Sequence, residues 1–174
     1  MMTPAAHPFI HWVQGTEIAY LATKTKWVFA TAQSVHFMGL SILLGSITLL
    51  DLRILGFLRR IPIARLYGLI PLAITGFLIQ LLTGIVMFSA EPLGYWTNAA
   101  FRLKLALIGV SGLNALWFWA FEHRRLANLP AEMPAGASAK IVATASIAIW
   151  ALVITLGRFI PYLQGVALPW VPGG

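Results

Sequence analysis

One histidine lies inside a long apolar run of the sequence, and its position suits chemistry better than that of any other residue. His36 follows Trp27 by nine residues, which is about 14 Å along a helix at 1.5 Å per residue. An imidazole at this depth can ligate haem or a metal, or transfer a proton. The structural alternative is a neutral imidazole that hydrogen-bonds between helices. Gln33 lies one turn before His36, close to the same helix face, and joins it as a candidate cofactor-binding residue.

Two cations form a second candidate feature, near the outer ends of later apolar runs. Lys104 lies about one turn inside the third run, and Arg158 lies about one turn before the end of the fourth. Together they can hold an anionic group, such as a haem propionate or a lipid phosphate. The alternative is that each side chain extends to the outer headgroups. Because charged groups cost less in hydrocarbon when they turn inward, we predict that His36, Lys104 and Arg158 surround one polar pocket in the outer half of the bundle.

Haem ligation by this chain alone meets a specific difficulty. Two histidines on facing helices are needed for bis-histidine ligation inside a bundle, and the remaining helical candidate, His123, lies at the opposite end of the third run. Haem b would therefore need an open axial position or a histidine from a partner subunit. His7 and His11 are four residues apart, but Pro8 lies between them and only Glu17 is near as a third ligand. We interpret them as surface histidines and predict no metal site.

The other polar residues inside the runs favour helix contacts over catalysis. Gln80 and Asn114 are predicted to hydrogen-bond between helices, and either can also contact a quinone carbonyl. Asp51 and Arg53 follow the first run and are interpreted as structural residues with partners on other helices. All five acidic residues are expected at run ends or outside the runs. The sequence has no cysteine and no nucleotide-binding, zinc-protease or hydrolase motif, so a self-contained enzyme is the least favoured class.

The elements that must position these residues are transmembrane helices. Of the 174 residues, 59% are hydrophobic and 10% are charged, and the mean hydropathy is +0.83, whereas a soluble domain has about 25% charged residues. A helix needs about 20 apolar residues to cross the bilayer core. Four runs have this length: residues 27–50, 66–88, 101–121 and 141–162. The sequence therefore predicts an all-α integral membrane four-helix bundle, a single domain over residues 1–174, with an N-terminal interfacial helix over residues 7–21.

Small residues and one proline predict how these helices pack. The small residues inside the runs are interpreted as close helix contacts. They are Gly39, Gly45, Ser46, Gly76, Gly84, Gly109, Ser111 and Gly112. Pro71 is predicted to kink the second helix, because a proline frees the preceding carbonyl groups.

The positions of lysine and arginine predict the orientation in the membrane. The connections after the first and third runs carry most of the cations: Arg53, Arg59, Arg60, Arg65, Arg124, Arg125 and Lys140. By the positive-inside rule both connections are cytoplasmic, and both termini are periplasmic in a bacterial inner membrane. The net charge is +7, but the basic residues occur singly or in pairs between apolar runs, so no nucleic-acid partner is predicted.

A set of residues spread over most of the chain resembles a known family. From His36 to Gly56 the sequence has the pattern H..GL....GS....DLR.LG, and it is flanked by Trp12, Gly15 and Thr16 upstream and by Asn98, Phe101, Lys104, Gly112, Asn114 and Ala115 downstream. This combination resembles an uncharacterised family of small bacterial inner-membrane proteins, known only as a domain of unknown function. The resemblance implies four membrane helices. It does not suggest an activity, because none is assigned to the family. A looser similarity to membrane proteins of the copper-resistance D and cytochrome b561 types rests on architecture and on one helix histidine.

Three classes of function are open on the sequence. The first is a structural or assembly subunit of a larger inner-membrane complex, whose partners are lipids and other membrane subunits or a second copy. It ranks first because the chain is small and contains no complete ligand set. The second is a redox-associated subunit that binds haem b or quinone in the outer half of the bundle. The third is a small transporter or a metal-handling protein.

Overall fold

The described part of the chain is helical throughout. A computed structural model describes residues 8–130 and 133–163, and these residues contain no strand. They form nine α-helices: α1 (Pro8–Gln14), α2 (Glu17–Lys24), α3 (Lys26–Leu55), α4 (Ile63–Leu66), α5 (Ile70–Ala90), α6 (Pro92–Thr97), α7 (Ala99–Trp117), α8 (His123–Ala127) and α9 (Ala137–Phe159). Short 3₁₀ turns follow α4 and α9, and a π-helical turn, Phe118–Glu122, joins α7 to α8.

Four helical stretches are long and apolar enough to cross a membrane, as predicted. They are Trp27–Leu55, Ile63–Ala90, Ala99–Ala127 and Ala137–Tyr162. Each is longer than the apolar run that predicted it, because a helix does not have to end where hydrophobic residues end. The first stretch continues through Asp51 and Arg53, and the third continues through Glu122. Asp51 and Glu122 thus lie 4 and 5 residues before the ends of their stretches, near the span ends where acidic residues were expected.

The predicted interfacial helix consists of two short helices instead of one. Gly15 and Thr16 separate α1 from α2, and Thr16 caps α2 by accepting a hydrogen bond from the Ala19 amide at 3.3 Å. The Thr16 hydroxyl also donates to the Val13 carbonyl at 2.7 Å, which fixes the bend between the two helices. Both helices bury a narrow apolar face and pack against α5. His7, the first residue of the predicted helix, lies outside the described residues.

The long helices associate as two pairs. Helix α3 packs along α5, α7 packs along α9, and the contact between α3 and α9 joins the pairs. Helices α5 and α7 have at most a marginal backbone contact. The bundle is therefore open along one side, between α5 and α7, and this opening shapes the candidate site.

Aromatic side chains close one end of the bundle, which we call the aromatic end. It is defined by Phe9, Phe88, Tyr95, Trp96 and Phe101, which come from α1, α5, α6 and α7. The Phe88 and Phe101 rings stack with centroids 5.7 Å apart, so α5 and α7 do meet here. Burial, together with the nearby Glu91 carboxylate, raises the pKa of Tyr95 above its ordinary value. Its phenol thus stays neutral and packs as part of the cluster.

The opposite end, which we call the arginine end, is defined by Arg53, Arg59, Arg60, Arg124 and Arg125. Helix α3 ends here at Gly56, whose φ of 105° lies in the left-handed region that favours glycine. A small apolar core holds the connections against α9. Its buried members are Ile54, Ile63, Leu126, Ala135, Ala139 and Ala143.

The predicted glycine contacts divide into correct and incorrect ones. A Cβ atom added to Gly76 would lie 2.7 Å from the Leu43 amide nitrogen and 2.8 Å from the Gly39 carbonyl oxygen, so α3 and α5 touch through their backbones. The prediction was wrong for Gly45, Gly109 and Gly112. Apart from their own helix backbone, no described atom lies within 4 Å of the Cβ position at these three glycines.

Pro71 lies at the start of a helix. It lies in the first turn of α5, where its missing N–H group has no intrahelical partner to lose. The irregular geometry precedes it, in the 3₁₀ turn Tyr67–Leu69. The candidate span Ile63–Ala90 is thus interrupted directly before Pro71, and a kink of the second helix stays a prediction.

Candidate functional site

A cavity of about 350 Å³ lies between the four spans, in the half of the bundle toward the arginine end. Its floor is formed by buried residues of α3 and α9, and its walls are formed by α5 and α7. Because α5 and α7 diverge there, the mouth opens sideways through the gap between them. Ile74 of α5 and Trp119 of the π-helical turn line the cavity and are exposed. A ligand could enter this cavity laterally from the membrane.

Five polar residues converge on an otherwise apolar cavity. They are Ser46, Asp51, Ser111, Asn114 and Ser146. Asp51 is only 6% exposed, and the Ser146 side chain hydrogen-bonds to its carboxyl group. The other oxygen, Oδ2, is fully buried and has no hydrogen-bond partner within the described structure. A buried acceptor without a donor is costly, so Asp51 offers a strong binding point for a ligand with a hydroxyl or N–H group.

The remaining walls of the cavity are aliphatic and aromatic. Phe77, Phe118, Trp119 and Trp150 contribute rings from three of the four spans. Small-molecule sites commonly combine such apolar walls with a few polar groups at one side. The cavity therefore suits a lipophilic molecule that carries one polar, hydrogen-bonding head.

His36 lies outside this cavity, in the contact between α3 and α5. Its Nδ1 is 2.8 Å from the Thr83 hydroxyl oxygen, and the Gln80 side-chain amide donates to its carbonyl oxygen at 2.6 Å. The Thr83 hydroxyl donates to the Ile79 carbonyl at 2.6 Å, which leaves its oxygen to accept from His36. The imidazole then carries its proton on Nδ1, and Nε2 is left as an acceptor. His36 thus joins two helices while keeping one free ring nitrogen.

Of the five predicted cofactor-binding residues, His36 and Lys104 interact electrostatically across the bundle. Lys104 is half-buried, and its ammonium group lies 3.4 Å from the Cβ position of Gly157 on α9. It is also an electrostatic neighbour of His36. Arg158 is exposed and donates to the Tyr162 hydroxyl oxygen at 3.3 Å, with its guanidinium carbon 5.5 Å from that ring centroid.

The other two predicted residues lie elsewhere. Gln33 is exposed on α3. Asn114 lines the cavity and donates to the Val142 carbonyl at 3.2 Å, which confirms the predicted interhelical hydrogen bond. Gln80 confirms the second such prediction through its bond to His36. A common cofactor role for the five predicted residues stays a prediction.

Sequence reasoning missed the role of Asp51 in the cavity. It interpreted the DLR segment as the end of a span, although a partner on another helix was expected, and Ser146 of α9 is that partner. The spacing gave no signal, because Asp51 lies five residues after Ser46, and residues on one helix face are three or four apart. What faces them could not be inferred from one helix.

Comparison with known proteins identifies the family. A family model described as a family of unknown function, DUF6644, matches residues 9–163. The chain belongs to this family. The match agrees with the resemblance to an uncharacterised family that the sequence motifs indicated. Neither the curated proteins nor the solved structures include a match.

In this member of DUF6644, the described residues do not provide a bis-histidine haem site. His123 is at the arginine end, where its ring stacks on Tyr67 and Trp119 at centroid distances of 4.6 and 4.1 Å. No second described histidine faces His36 from another span, since His11 lies in α1. Across residues 8–130 and 133–163, no three histidine, aspartate or glutamate side chains cluster as metal ligands. Within the described residues, haem b would therefore need an open axial position or a histidine from a partner subunit.

Proposed function

We propose that this protein is a small membrane-embedded subunit that binds one lipophilic, quinol-type molecule in the cavity between its four spans. The observation that carries the proposal is the buried Asp51 Oδ2, which lacks a donor and lies at the wall of an apolar cavity. Charged or polar groups at membrane depth are costly and commonly mark a binding site. A ligand hydroxyl would supply the missing hydrogen bond.

The chemistry of the walls favours a ring with polar substituents over an unbranched lipid chain. The Ser146 side chain already satisfies part of the Asp51 carboxyl group, so the ligand needs to donate a single hydrogen bond. Asn114 uses its amide nitrogen for Val142, which leaves its side-chain oxygen as a second acceptor. Phe118 and Trp119 offer ring faces against which a flat head can pack. A quinol has two hydroxyl donors on a flat ring, and its apolar tail would leave through the gap between α5 and α7.

Two glycines of α7 provide a matched test. Gly112 lines the cavity and Gly109 does not, and a side chain added at either position meets open space. Quenching of tryptophan fluorescence by decylubiquinone, and by its quinol, is titrated on the purified protein in uncharged detergent. We expect saturable quenching that Gly112→Phe abolishes and Gly109→Phe leaves intact. Asp51→Leu should weaken quinol binding about ten-fold, because the hydrogen bond to a buried carboxyl group is lost.

The same titration can reject the cavity as the site. Equal quenching in the wild type, Gly112→Phe and Gly109→Phe would show that the ligand binds elsewhere. Loss of quenching in Lys104→Gln, with Gly112→Phe unaffected, would place the ligand at His36 and Lys104. Quenching that never saturates would show only partitioning into detergent.

A second proposed role, as a structural or assembly subunit, rests on the outer face of α7. Among the long helices this one packs mainly on α9, and it presents large apolar side chains outward. Leu113 and Leu116 are 67% and 66% exposed, and Trp117 is half-exposed beside them. Such a face can be covered either by lipid or by a helix of a partner subunit. Chemical cross-linking in native membranes should yield a discrete larger species. Trp117→Ala should reduce the yield of this species. Recovery of the uncross-linked chain alone would contradict this role.

We further propose that the arginine end is cytoplasmic and that both termini are periplasmic, in a bacterial inner membrane. The support is the concentration of arginine in the two connections at that end. Reporter fusions after Arg60 and after Gly174 should report opposite sides of the membrane. Fusions that report the same side would contradict the proposed topology.

A further inference from the structure

The last turns of α3 bury a second charged side chain, which the proposed cavity does not use. Arg53 is 1% exposed. Its Nε donates to the Ile61 carbonyl oxygen at 2.5 Å. Its two terminal nitrogens, Nη1 and Nη2, are fully buried and have no hydrogen-bond partner in the described structure. One guanidinium group therefore retains unused donors beneath the surface.

The local backbone explains how Arg53 comes to be covered. Gly56 ends α3 in the left-handed conformation, and the Gly56 and Phe57 amides both donate to the Leu52 carbonyl. The chain then reverses and returns past Arg53, which is why Ile61 can accept from its Nε. A turn over residues 56–60, with no helix of its own, thus lies beside the buried guanidinium.

A second arginine adds charge to the same place. Arg59 is exposed, and its Nε donates to the Gly56 carbonyl oxygen at 3.0 Å. It is the charged group that repels Arg53. The acidic residue nearest in sequence, Asp51, is hydrogen-bonded to Ser146 on α9 instead. Two guanidinium groups consequently lie together, and the described contacts of Arg53 do not include a compensating anion.

A bound anion would compensate the positive charge of Arg53 and Arg59, which the two side chains cannot lose by deprotonation. Arginine keeps its charge in proteins, so Arg53 cannot become neutral to escape burial. A buried charge without a partner is strongly destabilising. Guanidinium groups bind phosphate oxygens through paired N–H donors, and Arg53 has both terminal nitrogens free for that geometry.

We propose that Arg53 and Arg59 bind one phosphate group at the arginine end of the bundle. The phosphate belongs either to the headgroup of an anionic lipid or to free inorganic phosphate. Arg59 is held by a single side-chain hydrogen bond, so its guanidinium can turn toward an anion that also contacts Arg53. This site is separate from the cavity, and its test does not depend on the quinol proposal.

The test is ligand-dependent thermal stability of the purified protein in uncharged detergent. The probes are dioleoyl phosphatidylglycerol and inorganic phosphate, with dioleoylglycerol as the lipid that lacks a phosphate. We expect a saturable rise in unfolding temperature with phosphatidylglycerol, and none with dioleoylglycerol. Arg59→Gln should raise the half-saturating concentration about ten-fold, as expected for loss of one charge-assisted contact. Arg60→Gln, an exposed neighbour of the same charge, is the matched control and should bind as the wild type does.

Arg53→Lys separates binding from folding. It keeps the charge but loses the paired donors, so it should retain the fold, as judged by circular dichroism, and lose most of the response. A response to phosphatidylglycerol alone assigns the site to a lipid, and a response to inorganic phosphate as well assigns it to free phosphate. Equal responses in Arg59→Gln and Arg60→Gln, or no response of the wild type to either phosphate probe, would overturn the proposal.

Discussion

The α3–α5 interface and the α5–α7 gap contain the same small residues but have opposite packing. At the interface, Gly39 and Gly76 bring the two backbones together. A Cβ atom added to Gly76 would lie only 2.8 Å from the Gly39 carbonyl oxygen. At the gap, Gly112 of α7 lines the cavity and faces open space. A glycine in a membrane helix therefore permits close approach without producing it.

The difference between the two regions lies in what faces each glycine. Opposite Gly76 is another glycine, and polar contacts from Gln80 and Thr83 to His36 hold the two helices at that spacing. Helix α7 instead hydrogen-bonds to α9, through Asn114 to Val142 and through Asn98 to Ile160. It is therefore held on the α9 side, and the side toward α5 stays open.

The largest effect is expected from closing the space at Gly76. In Gly76→Ala the new methyl group would meet backbone atoms of Leu43 and Gly39, which cannot move as a flexible side chain can. We expect destabilisation of about 1–3 kcal/mol, as for overpacked cores, measured by denaturant unfolding in detergent. Gly45→Ala is the control, because open space surrounds its Cβ position. Equal stability of the two variants would show that the interface is looser than the structure indicates.

Asn98 tests the attachment of α7 to α9. This buried side chain donates to the Ile160 carbonyl at 2.9 Å and accepts from the Phe101 amide at 3.2 Å, which caps α7. Asn98→Ala should lower stability by about 1–2 kcal/mol. Asn128→Ala is a suitable control, since Asn128 is exposed and makes one bond to Arg124 within the same segment. A smaller loss in Asn98→Ala than in this control would contradict the proposed anchor.

Gln80 tests the polar side of the α3–α5 interface. Gln80→Leu removes the 2.6 Å bond to the His36 carbonyl and keeps a similar volume. We expect a loss of about 0.6 kcal/mol, the average for interhelical hydrogen bonds in a membrane protein. Thr75→Val on the same helix is the comparison, because Thr75 bonds only to the Pro71 carbonyl of its own helix. Greater damage from Thr75→Val would mean that the glycine contact alone holds the interface.

The smallest effect is expected from Gly112→Leu, at the gap. The added side chain enters open space, so stability in detergent should change by no more than about 0.5 kcal/mol. Unfolding measured beside Gly76→Ala provides the direct contrast between the two regions. A loss as large as that of Gly76→Ala would show that α5 and α7 close together in solution.

The correct sequence-based predictions concern properties that each helix has on its own. Hydropathy predicted the four spans, and isolated amides inside them predicted the interhelical bonds of Gln80 and Asn114. The errors concern relations between helices. The contacts predicted at Gly109 and Gly112 required a neighbour that α7 does not have on that side. The partner expected for Asp51 on another helix is Ser146, 95 residues away in the sequence, but one helix alone did not show that both line a cavity.

The sequence by itself determined that this protein is a bundle of membrane helices. In lipid a backbone must satisfy its own hydrogen bonds, and a run of about 20 apolar residues does so locally as a helix. Only the tertiary structure decided which faces of these helices meet. It pairs α3 with α5 and α7 with α9, and it leaves the cavity beside Asp51 between the pairs. The physical reason is that apolar faces are equally compatible with lipid and with another helix, so hydrophobicity cannot select among pairings that backbone fit and a few polar contacts do select.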